Sequence, residues 1–287
     1  MSCWVEDAPA KVNLALDILR RRPDGYHDLY MVMQSVSLCD TVTVEERAQG
    51  FTLETGGFTP LSAKSMEERT AEAFFAAIGE PMPGLRVTLE KRIPAYAGLG
   101  GGSSDVAALL RLLRKAYCPA MDAAELQRIG LQIGSDVPFC VRGGAALAQG
   151  RGEILTDLPP LSGARFVLCK PPFGIPTPTL FQRADNTPLE RRPDVDGVAD
   201  ALRRGDVSGA AARMGNVFED VLPPEYAEVF AIKRRLLELG AENAVMSGSG
   251  PTVCGIFQDA DAAQRAADTL RSTYPETFAA VPLAPCF

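Results

Sequence analysis

The strongest chemical signal in the sequence is a glycine-rich segment, which reads Pro94-Ala95-Tyr96-Ala97-Gly98-Leu99-Gly100-Gly101-Gly102-Ser103-Ser104-Asp105. It lies between an apolar alternation typical of a strand and an apolar spacing typical of a helix. Glycine lets the backbone adopt positive φ angles and approach a ligand closely. The free N–H groups and the dipole of the following helix favour an anion at its first turn. The segment therefore predicts a phosphate-binding turn. The alternative is a plain strand-to-helix turn in which Ser104 or Asp105 caps the helix.

Two common nucleotide-binding patterns do not occur in the sequence. No G-x-x-x-x-G-K-[ST] segment is found, which excludes a Walker A loop. Ser103 stands where G-x-G-x-x-G would need its third glycine, which argues against a nicotinamide dehydrogenase. Ser103 and Ser104 instead place hydroxyl groups beside the predicted anion site, and one of them is a candidate ligand of a magnesium ion.

A lysine and an aspartate are the candidate catalytic side chains. Apolar and polar residues alternate between residues 10 and 18, which predicts a half-buried strand with Lys11 and Asn13 on one face, opposite the core. A lysine at such a position is either catalytic or simply exposed, with its stem lying on the sheet. Asp136 precedes a segment that contains Pro138 and is predicted to be extended. Aspartate there is typical of a cap or turn, and its chemical interpretation is as the acceptor of a hydroxyl proton.

Two further segments are candidates for ligand contact. Tyr26 and His27 follow a turn at Asp24-Gly25. An aromatic ring beside an imidazole can hold a nucleobase by stacking and by hydrogen bonds to its edge, although a single histidine is more often a capping or surface residue. Two predicted strands are joined by Ser247-Gly248-Ser249-Gly250-Pro251. This segment is either a hairpin turn or a second backbone surface near the phosphates.

The composition predicts a globular protein. The chain has 287 residues, 46% of them hydrophobic and 23% charged, and a formal net charge of -7. The acidic balance argues against nucleic acid as the partner. The seven cysteines are scattered without a C-x-x-C pair, which favours free thiols in a reducing compartment, and the single histidine leaves oxygen ligands for any metal. The sequence shows neither a signal peptide nor a membrane span, so we expect a cytoplasmic protein without a membrane partner.

The spacing of apolar residues predicts strands and helices in an irregular order. Further strands are predicted at residues 29–38, 41–45, 51–54, 85–89, 145–148, 153–158, 166–169, 244–246, 252–257 and 278–283. Helices are predicted from the capping box at Ser65 to Gly79, from the glycine-rich segment through Leu113, from Asp122, at 194–204 and 206–214, before Gly240 and at 260–271. With a proline-rich linker at 159–163, this order predicts an α+β fold in two domains, residues 1–158 and 164–287.

The series of motifs resembles that of the GHMP kinase superfamily nearly from end to end. The matching segments are Ala8–Leu14, Asp24–His27, Gly98–Asp105, Gly134–Phe139, Gly144-Ala145, Gly150–Glu153, Ile175–Thr179 and Met246–Pro251. The resemblance implies an N-terminal domain similar to ribosomal protein S5 domain 2, which carries the phosphate loop. It also implies a C-terminal ferredoxin-like domain, with the substrate between the two.

The resemblance also implies a role for each candidate residue. ATP would be the co-substrate, with Mg²⁺ offsetting its charge. Its phosphates would be held by Pro94, Ala95, Tyr96, Ala97, Gly98, Leu99, Gly100, Gly101, Gly102, Ser103 and Ser104. Lys11 and Asp136 would meet at the substrate hydroxyl, and the metal ligands stay open. Substrate contacts would come from Asn13, Tyr26, His27 and Thr177.

The segments at Lys11/Asn13 and Tyr26-His27 resemble one branch of the superfamily. That branch phosphorylates the 2-hydroxyl of an alcohol carrying a diphosphocytidyl group, in non-mevalonate isoprenoid precursor biosynthesis. The alternatives are another small-molecule kinase of the homoserine or mevalonate type, and a non-catalytic nucleotide- or RNA-binding protein. Tyr26-His27 argues against the first, and the Lys11/Asp136 pair together with the acidic balance argues against the second. We expect a monomer or a homodimer.

Overall fold

The structure, a computed structural model, describes residues 2–56, 64–189 and 191–287. Its strands are β1 Cys3–Arg21, β2 His27–Arg47, β3 Phe51–Thr55, β4 Gly84–Glu90, β5 Ala145–Gly150, β6 Ile154–Leu158, β7 Arg165–Cys169, β8 Gly215–Asn216, β9 Asn243–Met246, β10 Val253–Phe257 and β11 Thr277–Ala280. Its α-helices are α1 Met66–Ile78, α2 Gly101–Tyr117, α3 Ala123–Leu131, α4 Val137–Arg142, α5 Thr177–Asn186, α6 Val195–Arg204, α7 Val207–Ala211, α8 Glu228–Glu238 and α9 Ala260–Arg271. Short 3₁₀ helices span Val217–Val221 and Pro224–Tyr226.

The described strands form two sheets, which confirms the predicted α+β class. The larger sheet has the order β3-β4-β2-β1-β8, with β5 also paired to β2 and β6 paired to β5. The long strand β2 pairs with β1 along one edge, and along its other edge the first half pairs with β5 and the second half with β4. The smaller sheet has the order β11-β7-β10-β9. Helix α2 packs on the larger sheet through the fully buried side chains of Val106, Leu109, Leu110 and Leu113.

Local sequence signals explain where most helices begin and end. Ser65 caps α1, with its Oγ accepting a hydrogen bond from the Glu68 N–H at 3.0 Å, and Gly79 ends the helix in the left-handed conformation. Asp122 caps α3 in the same way, with its Oδ1 2.8 Å from the Glu125 N atom. These three predictions from the capping patterns are confirmed.

Several local predictions are wrong, and each error has a physical cause. Helix α2 begins at Gly101 with Gly100 at its N-cap, so neither Ser104 nor Asp105 caps it. The segment after Asp136 is helical, with Pro138 in the first turn, where its missing N–H costs no helical hydrogen bond. A helix also forms at α5, which starts next to prolines in the same manner. The predicted strands 29–38 and 41–45 are one continuous strand, and the last strand ends at Ala280.

The chain passes from the larger to the smaller sheet across residues 159–163, which join β6 to β7. Two later pieces return to the larger sheet. Strand β8 pairs in parallel with Ala15 and Leu16, and the C-terminal tail forms bridges between Pro282 and Val36 and between Pro285 and Gly143. The domain bounds 1–158 and 164–287 stay a prediction. Within the described ranges, no helix is both long enough and apolar enough to cross a bilayer.

Candidate active site

One large cleft gathers most of the candidate residues. It has a volume of about 1320 Å³ and is lined from β1, the start of β2, the glycine-rich segment, the start of α4, α5 and the turn between β9 and β10. The predicted residues that line it are Lys11, Asn13, Tyr26, His27, Tyr96, Gly98, Gly100, Ser103, Asp136 and Thr177. Residues more than 100 positions apart in the chain therefore share one cavity.

Lys11 and Asp136 form an ion pair inside this cleft. The Lys11 Nζ atom lies 3.2 Å from Asp136 Oδ2 and donates a hydrogen bond to Asn13 Oδ1 at 2.8 Å. The lysine side chain is only 6% exposed, whereas the aspartate side chain is 32% exposed. The prediction that Lys11 and Asn13 share one strand face is confirmed. The expectation that this face lies outside the protein interior is wrong, because the glycine-rich segment and residues 247–250 cover it.

Asp136 stands at the N-cap of α4 but does not cap it. Its side chain accepts no hydrogen bond from the helix, whereas Asp122, Asp194 and Asp259 at the same position of other helices each do. The carboxylate is turned towards Lys11 instead. A short side chain that leaves this local hydrogen bond unmade is available for an interaction in the cleft.

The glycine-rich segment packs closely against the turn between β9 and β10. Gly98 and Gly100 have φ angles of +74° and +70°, a region that side chains with a Cβ atom rarely adopt. The Gly98 carbonyl oxygen accepts a hydrogen bond from Ser247 Oγ at 3.0 Å, and the Lys11 N–H donates to the Leu99 carbonyl at 2.9 Å. A Cβ atom on Gly100 would lie 3.0 Å from Lys11 Cγ. The loop thus holds the lysine stem in place while its backbone faces the cleft.

The two serines at the start of α2 have different surroundings. Ser104 is buried, and its hydroxyl group donates a hydrogen bond to the Pro9 carbonyl oxygen. Ser103 lines the cleft. Of the two hydroxyl groups, that of Ser103 is therefore the one placed to meet a ligand.

This difference makes a testable prediction. Ser103→Ala should raise the KM for the nucleotide and lower kcat while leaving the melting temperature near the wild-type value, because its hydroxyl supports no described element. Ser104→Ala should instead lower stability by about 1 kcal/mol, the typical value of one internal hydrogen bond. Nucleotide kinetics across a magnesium titration, together with thermal unfolding of both variants, checks this. If Ser104→Ala changes the nucleotide kinetics and Ser103→Ala only lowers stability, then Ser104 is the serine that contacts the ligand.

A charged cluster anchors the first turn of α2 behind the cleft. Lys91 donates hydrogen bonds to both Asp40 and Asp105, and Asp40 also accepts the Ile93 N–H at 2.8 Å. Burial raises the pKa of the Asp105 carboxyl to about 7, although Lys91 opposes that rise. The cluster joins strand β2 to the segment that leads into the glycine-rich turn, and so it fixes where that turn begins.

Tyr26 and His27 line the cleft as well, and they differ in exposure. Tyr26 is 50% exposed, and the guanidinium carbon of Arg151 lies 4.0 Å from the centre of its ring. His27 is 9% exposed and stacks on Phe181, with ring centres 4.6 Å apart and planes 21° apart. Its Nε2 atom lies 2.8 Å from Asp185 Oδ1. The pair therefore offers one open aromatic face and one fixed imidazole.

The remaining predicted nucleotide contacts lie beside the cleft. Pro94, Ala95, Ala97, Leu99, Gly101, Gly102 and Ser104 do not line it, and among these Ala97, Leu99 and Ser104 are buried. Tyr96 does line it, with a φ angle of +52° and a side chain exposed to 83%. Thr177 lies at the start of α5, where its Oγ1 atom is 2.7 Å from Ser249 Oγ.

Sequence reasoning assigned no role to three side chains that line the cleft, Arg151, Phe181 and Asp185. For Arg151 the sequence signal is its position between two glycines, in Gly150-Arg151-Gly152. The other two lie on α5, whose start at Pro176-Thr177-Pro178 is a helix signal, because proline is favoured in a first turn.

The residues of the cleft fit a magnesium ion only in company with phosphate oxygens. Among residues 2–56, 64–189 and 191–287, no group of three or more His, Cys, Asp or Glu side chains is placed to hold a metal ion. Magnesium keeps several waters and is commonly held by one or two protein groups plus substrate phosphates. Ser103 and Asp136, which both line the cleft, are protein groups of the type that could contribute in this way.

The sequence matches two family descriptions that together cover more than half of the chain. These are GHMP kinases N terminal domain, over residues 65–144, and GHMP kinases C terminal, over residues 198–276. The chain belongs to the GHMP kinases. Within this family it is similar to proteins named 4-diphosphocytidyl-2-C-methyl-D-erythritol kinase. One from Moorella thermoacetica is 45% identical over 94% of this chain and 95% of its own length. Another from Geobacillus kaustophilus is 40% identical over 95% and 94%.

Solved structures agree with this placement. A crystal structure of 4-(cytidine 5'-diphospho)-2C-methyl-D-erythritol kinase superimposes with a TM-score of 0.80 at 33% identity, over 97% of this chain and 99% of that one. A homoserine kinase from Cytophaga hutchinsonii superimposes with a TM-score of 0.72 at 18% identity, over 98% and 96%, which shows a shared fold alone. The fold expected from the resemblance of the motifs is confirmed.

Proposed function

We infer that this chain transfers the γ-phosphoryl group of ATP to the 2-hydroxyl of 4-diphosphocytidyl-2-C-methyl-D-erythritol, in non-mevalonate isoprenoid precursor biosynthesis. The observation that carries the inference is the Lys11–Asp136 pair, which lies beside the glycine-rich segment inside one cleft. The similarity over nearly the whole chain to kinases of that name supports this substrate over homoserine and mevalonate, and a kinase over a non-catalytic nucleotide- or RNA-binding protein.

Phosphoryl transfer depends on positioning and on stabilising charge, and the cleft supplies groups for both. Asp136 is exposed enough to accept the proton of the substrate hydroxyl as that oxygen attacks the γ-phosphorus. Lys11, held by Asn13 and Asp136, orients this carboxylate and lies where negative charge builds on the transferred group. The lysine stem packs against Gly100, which holds its ammonium group in this position.

The nucleotide phosphates would lie against Gly98, Gly100 and Ser103, at the N-terminus of α2, whose N–H groups and dipole favour anions. With Mg²⁺, Ser103 and Asp136 are the protein groups offered to the ion. The ion would neutralise charge on the phosphates. Tyr96 would line this subsite as well, and the other residues of 94–102 would support the loop from behind.

The cytidine end of the substrate would lie at Tyr26 and His27. The open face of Tyr26 can stack on the base, and His27 offers a polar edge. Asn13, which holds Lys11, would contact the substrate near the reacting hydroxyl. Arg151 lines the cleft with its guanidinium group beside the Tyr26 ring, and it provides a cation for the diphosphate. Thr177, beside Ser249, would meet the substrate from the α5 side.

The same proposal extends to organisation and location. Residues 1–158 would form the domain that carries the phosphate loop and residues 164–287 the second domain, in a monomer or homodimer. The seven free cysteines fit a reducing compartment such as the cytoplasm.

The direct test is release of ADP by the purified enzyme across a panel of alcohols. The panel contains 4-diphosphocytidyl-2-C-methyl-D-erythritol, methylerythritol phosphate without cytidine, homoserine and mevalonate. We expect turnover with the first and very little with the others. Comparable turnover of homoserine or mevalonate would refute the substrate, and no ADP release with any of them would refute the kinase activity under these conditions.

Tyr26→Ala should raise the KM for the cytidine substrate with a smaller change in kcat. The cytosine base is remote from the reacting hydroxyl, so its binding stabilises the ground state and the transition state equally. Loss of a base–aromatic stack predicts an increase of about fivefold to a hundredfold. The KM for ATP should stay near the wild-type value. Tyr274→Ala is the control, since it removes a tyrosine that does not line the cleft. An effect of Tyr26→Ala on ATP alone would mean that this end of the cleft binds adenine.

A further inference from the structure

The environment of His27 restricts which of its ring nitrogens carries the proton. Its Nε2 atom lies 2.8 Å from Asp185 Oδ1, and one face of the ring is covered by Phe181. The Asp185 side chain is 23% exposed and also lies 3.5 Å from Arg21. His27 begins β2, Asp185 is on α5 and Arg21 ends β1, so three separate elements fix this contact.

A carboxylate can only accept a hydrogen bond, so the Nε2 atom must be the donor in this contact. In a neutral imidazole the other nitrogen then carries a lone pair and accepts. The Nδ1 atom has no hydrogen-bond partner in the part of the chain that the structure describes. Unlike the buried polar atoms that lack a partner, it is not closed off from solvent. Because His27 lines the cleft, this acceptor is available to a bound ligand.

We propose that Asp185 is a positioning residue that holds His27 in the Nε2–H form, so that Nδ1 accepts a hydrogen bond from the exocyclic amine of cytosine and selects cytosine over uracil. Cytosine presents an N–H donor at that edge, whereas the carbonyl oxygen of uracil is an acceptor. Two acceptors facing each other leave both unpaired, which disfavours uracil. This inference rests on the proposed function, since it concerns the base that the substrate carries.

The proposal can be tested without any turnover. His27 is the single histidine of the chain, so ¹⁵N-histidine labelling gives one pair of ring-nitrogen resonances with no assignment problem. At about pH 8, where histidine side chains are ordinarily neutral, the wild-type protein should show a protonated Nε2 and an unprotonated Nδ1. A protonated Nδ1 in the wild type overturns the proposal, and this result does not depend on any variant folding.

Variants then separate Asp185 from its neighbours. Asp185→Leu keeps the size of the side chain but cannot accept, so both tautomers should become populated and the Nδ1 resonance should move towards the protonated position. Arg21→Gln removes the ion pair at 3.5 Å and leaves the imidazole contact, so the spectrum should stay as in the wild type. Asp200→Asn, which removes an exposed carboxylate paired with Arg203, is the matched control. An unchanged spectrum in Asp185→Leu would also overturn the proposal.

Selectivity provides the functional readout. The ratio of kcat/KM for the cytidine substrate to kcat/KM for its uridine analogue should fall about tenfold or more in Asp185→Leu, the effect of losing one discriminating hydrogen bond. The ratio should be unchanged in Asp200→Asn. A wild type that prefers cytidine with an unchanged ratio in Asp185→Leu refutes the role of Asp185 and leaves the proposed function intact. A wild type that does not phosphorylate the cytidine substrate refutes the proposed function, while the spectrum still reports on the contact.

Discussion

Replacing either Lys11 or Asp136 with alanine is expected to lower kcat by about 10²-fold or more, the scale of general-base and electrostatic losses. The two groups are 3.2 Å apart and act on the same oxygen in the proposed mechanism. If they work as one unit, the double variant should be little slower than either single variant, because catalytic groups that act together are not additive. Steady-state kinetics with saturating ATP on the three variants measures this.

The smaller sheet contains a matched control for this ion pair. Lys170 is also buried and pairs with the half-exposed carboxylate of Glu276 at 2.6 Å, but neither residue lines the cleft. Lys170→Ala should therefore lower the free energy of unfolding and leave kcat unchanged. Asp136 makes no capping hydrogen bond, so Asp136→Ala should leave helix α4 intact. Near-normal turnover in Lys11→Ala or Asp136→Ala would remove that residue from the mechanism.

Sequence patterns predicted the parts of the site that depend on local periodicity. Alternation placed Lys11 and Asn13 on the same side of one strand, and the glycines of residues 98–102 marked a turn before a helix. Strand alternation follows from backbone geometry over a few residues, and glycine marks positive φ angles directly. These signals need no knowledge of the rest of the fold.

The parts that sequence patterns did not predict depend on contacts between distant segments. The alternation of apolar and polar residues predicts that the strand face carrying Lys11 is exposed. It cannot show that Ser247 and Gly98, which are distant in sequence, cover that face. In the same way, the contact between His27 and Asp185 joins residues 158 positions apart. Their meeting depends on how α5 packs across the cleft, which no local pattern encodes.

Proline was the other source of error. The segment that contains Pro138 is predicted to be extended, yet Pro138 lies in the first turn of a helix, and Pro178 does so too. Proline has no N–H to donate, and the first N–H groups of a helix have no partner inside it, so the residue fits there without loss. Applying this rule would have located α5, and with it Phe181 and Asp185.

Gly98→Ala is expected to lower kcat/KM for ATP by about 10²-fold, because displacing reacting groups by about 1 Å can cost that much. An added Cβ atom would lie 2.1 Å from the Ser247 carbonyl oxygen and 2.9 Å from the Gly250 N atom, so the backbone itself must move. The φ angle of +74° adds strain of about 1–2 kcal/mol for a residue with a side chain. The loop would shift where it faces the phosphates and covers Lys11.

Two control variants separate the causes of this loss. Gly79→Ala introduces the same strain at a φ angle of +71° with nothing within 4 Å of the new atom, so it should lower stability and leave ATP kinetics unchanged. Gly102→Ala adds a methyl group whose nearest neighbour is Met66 Sδ at 4.0 Å, inside the first turn of α2, so its backbone should keep its place. Its effect on kcat/KM for ATP should therefore be much smaller than that of Gly98→Ala. Thermal unfolding and ATP kinetics on all three variants distinguish strain from displacement of the phosphate loop. If Gly98→Ala behaves like Gly79→Ala, the segment is a structural turn, and the ATP phosphates bind elsewhere in the cleft.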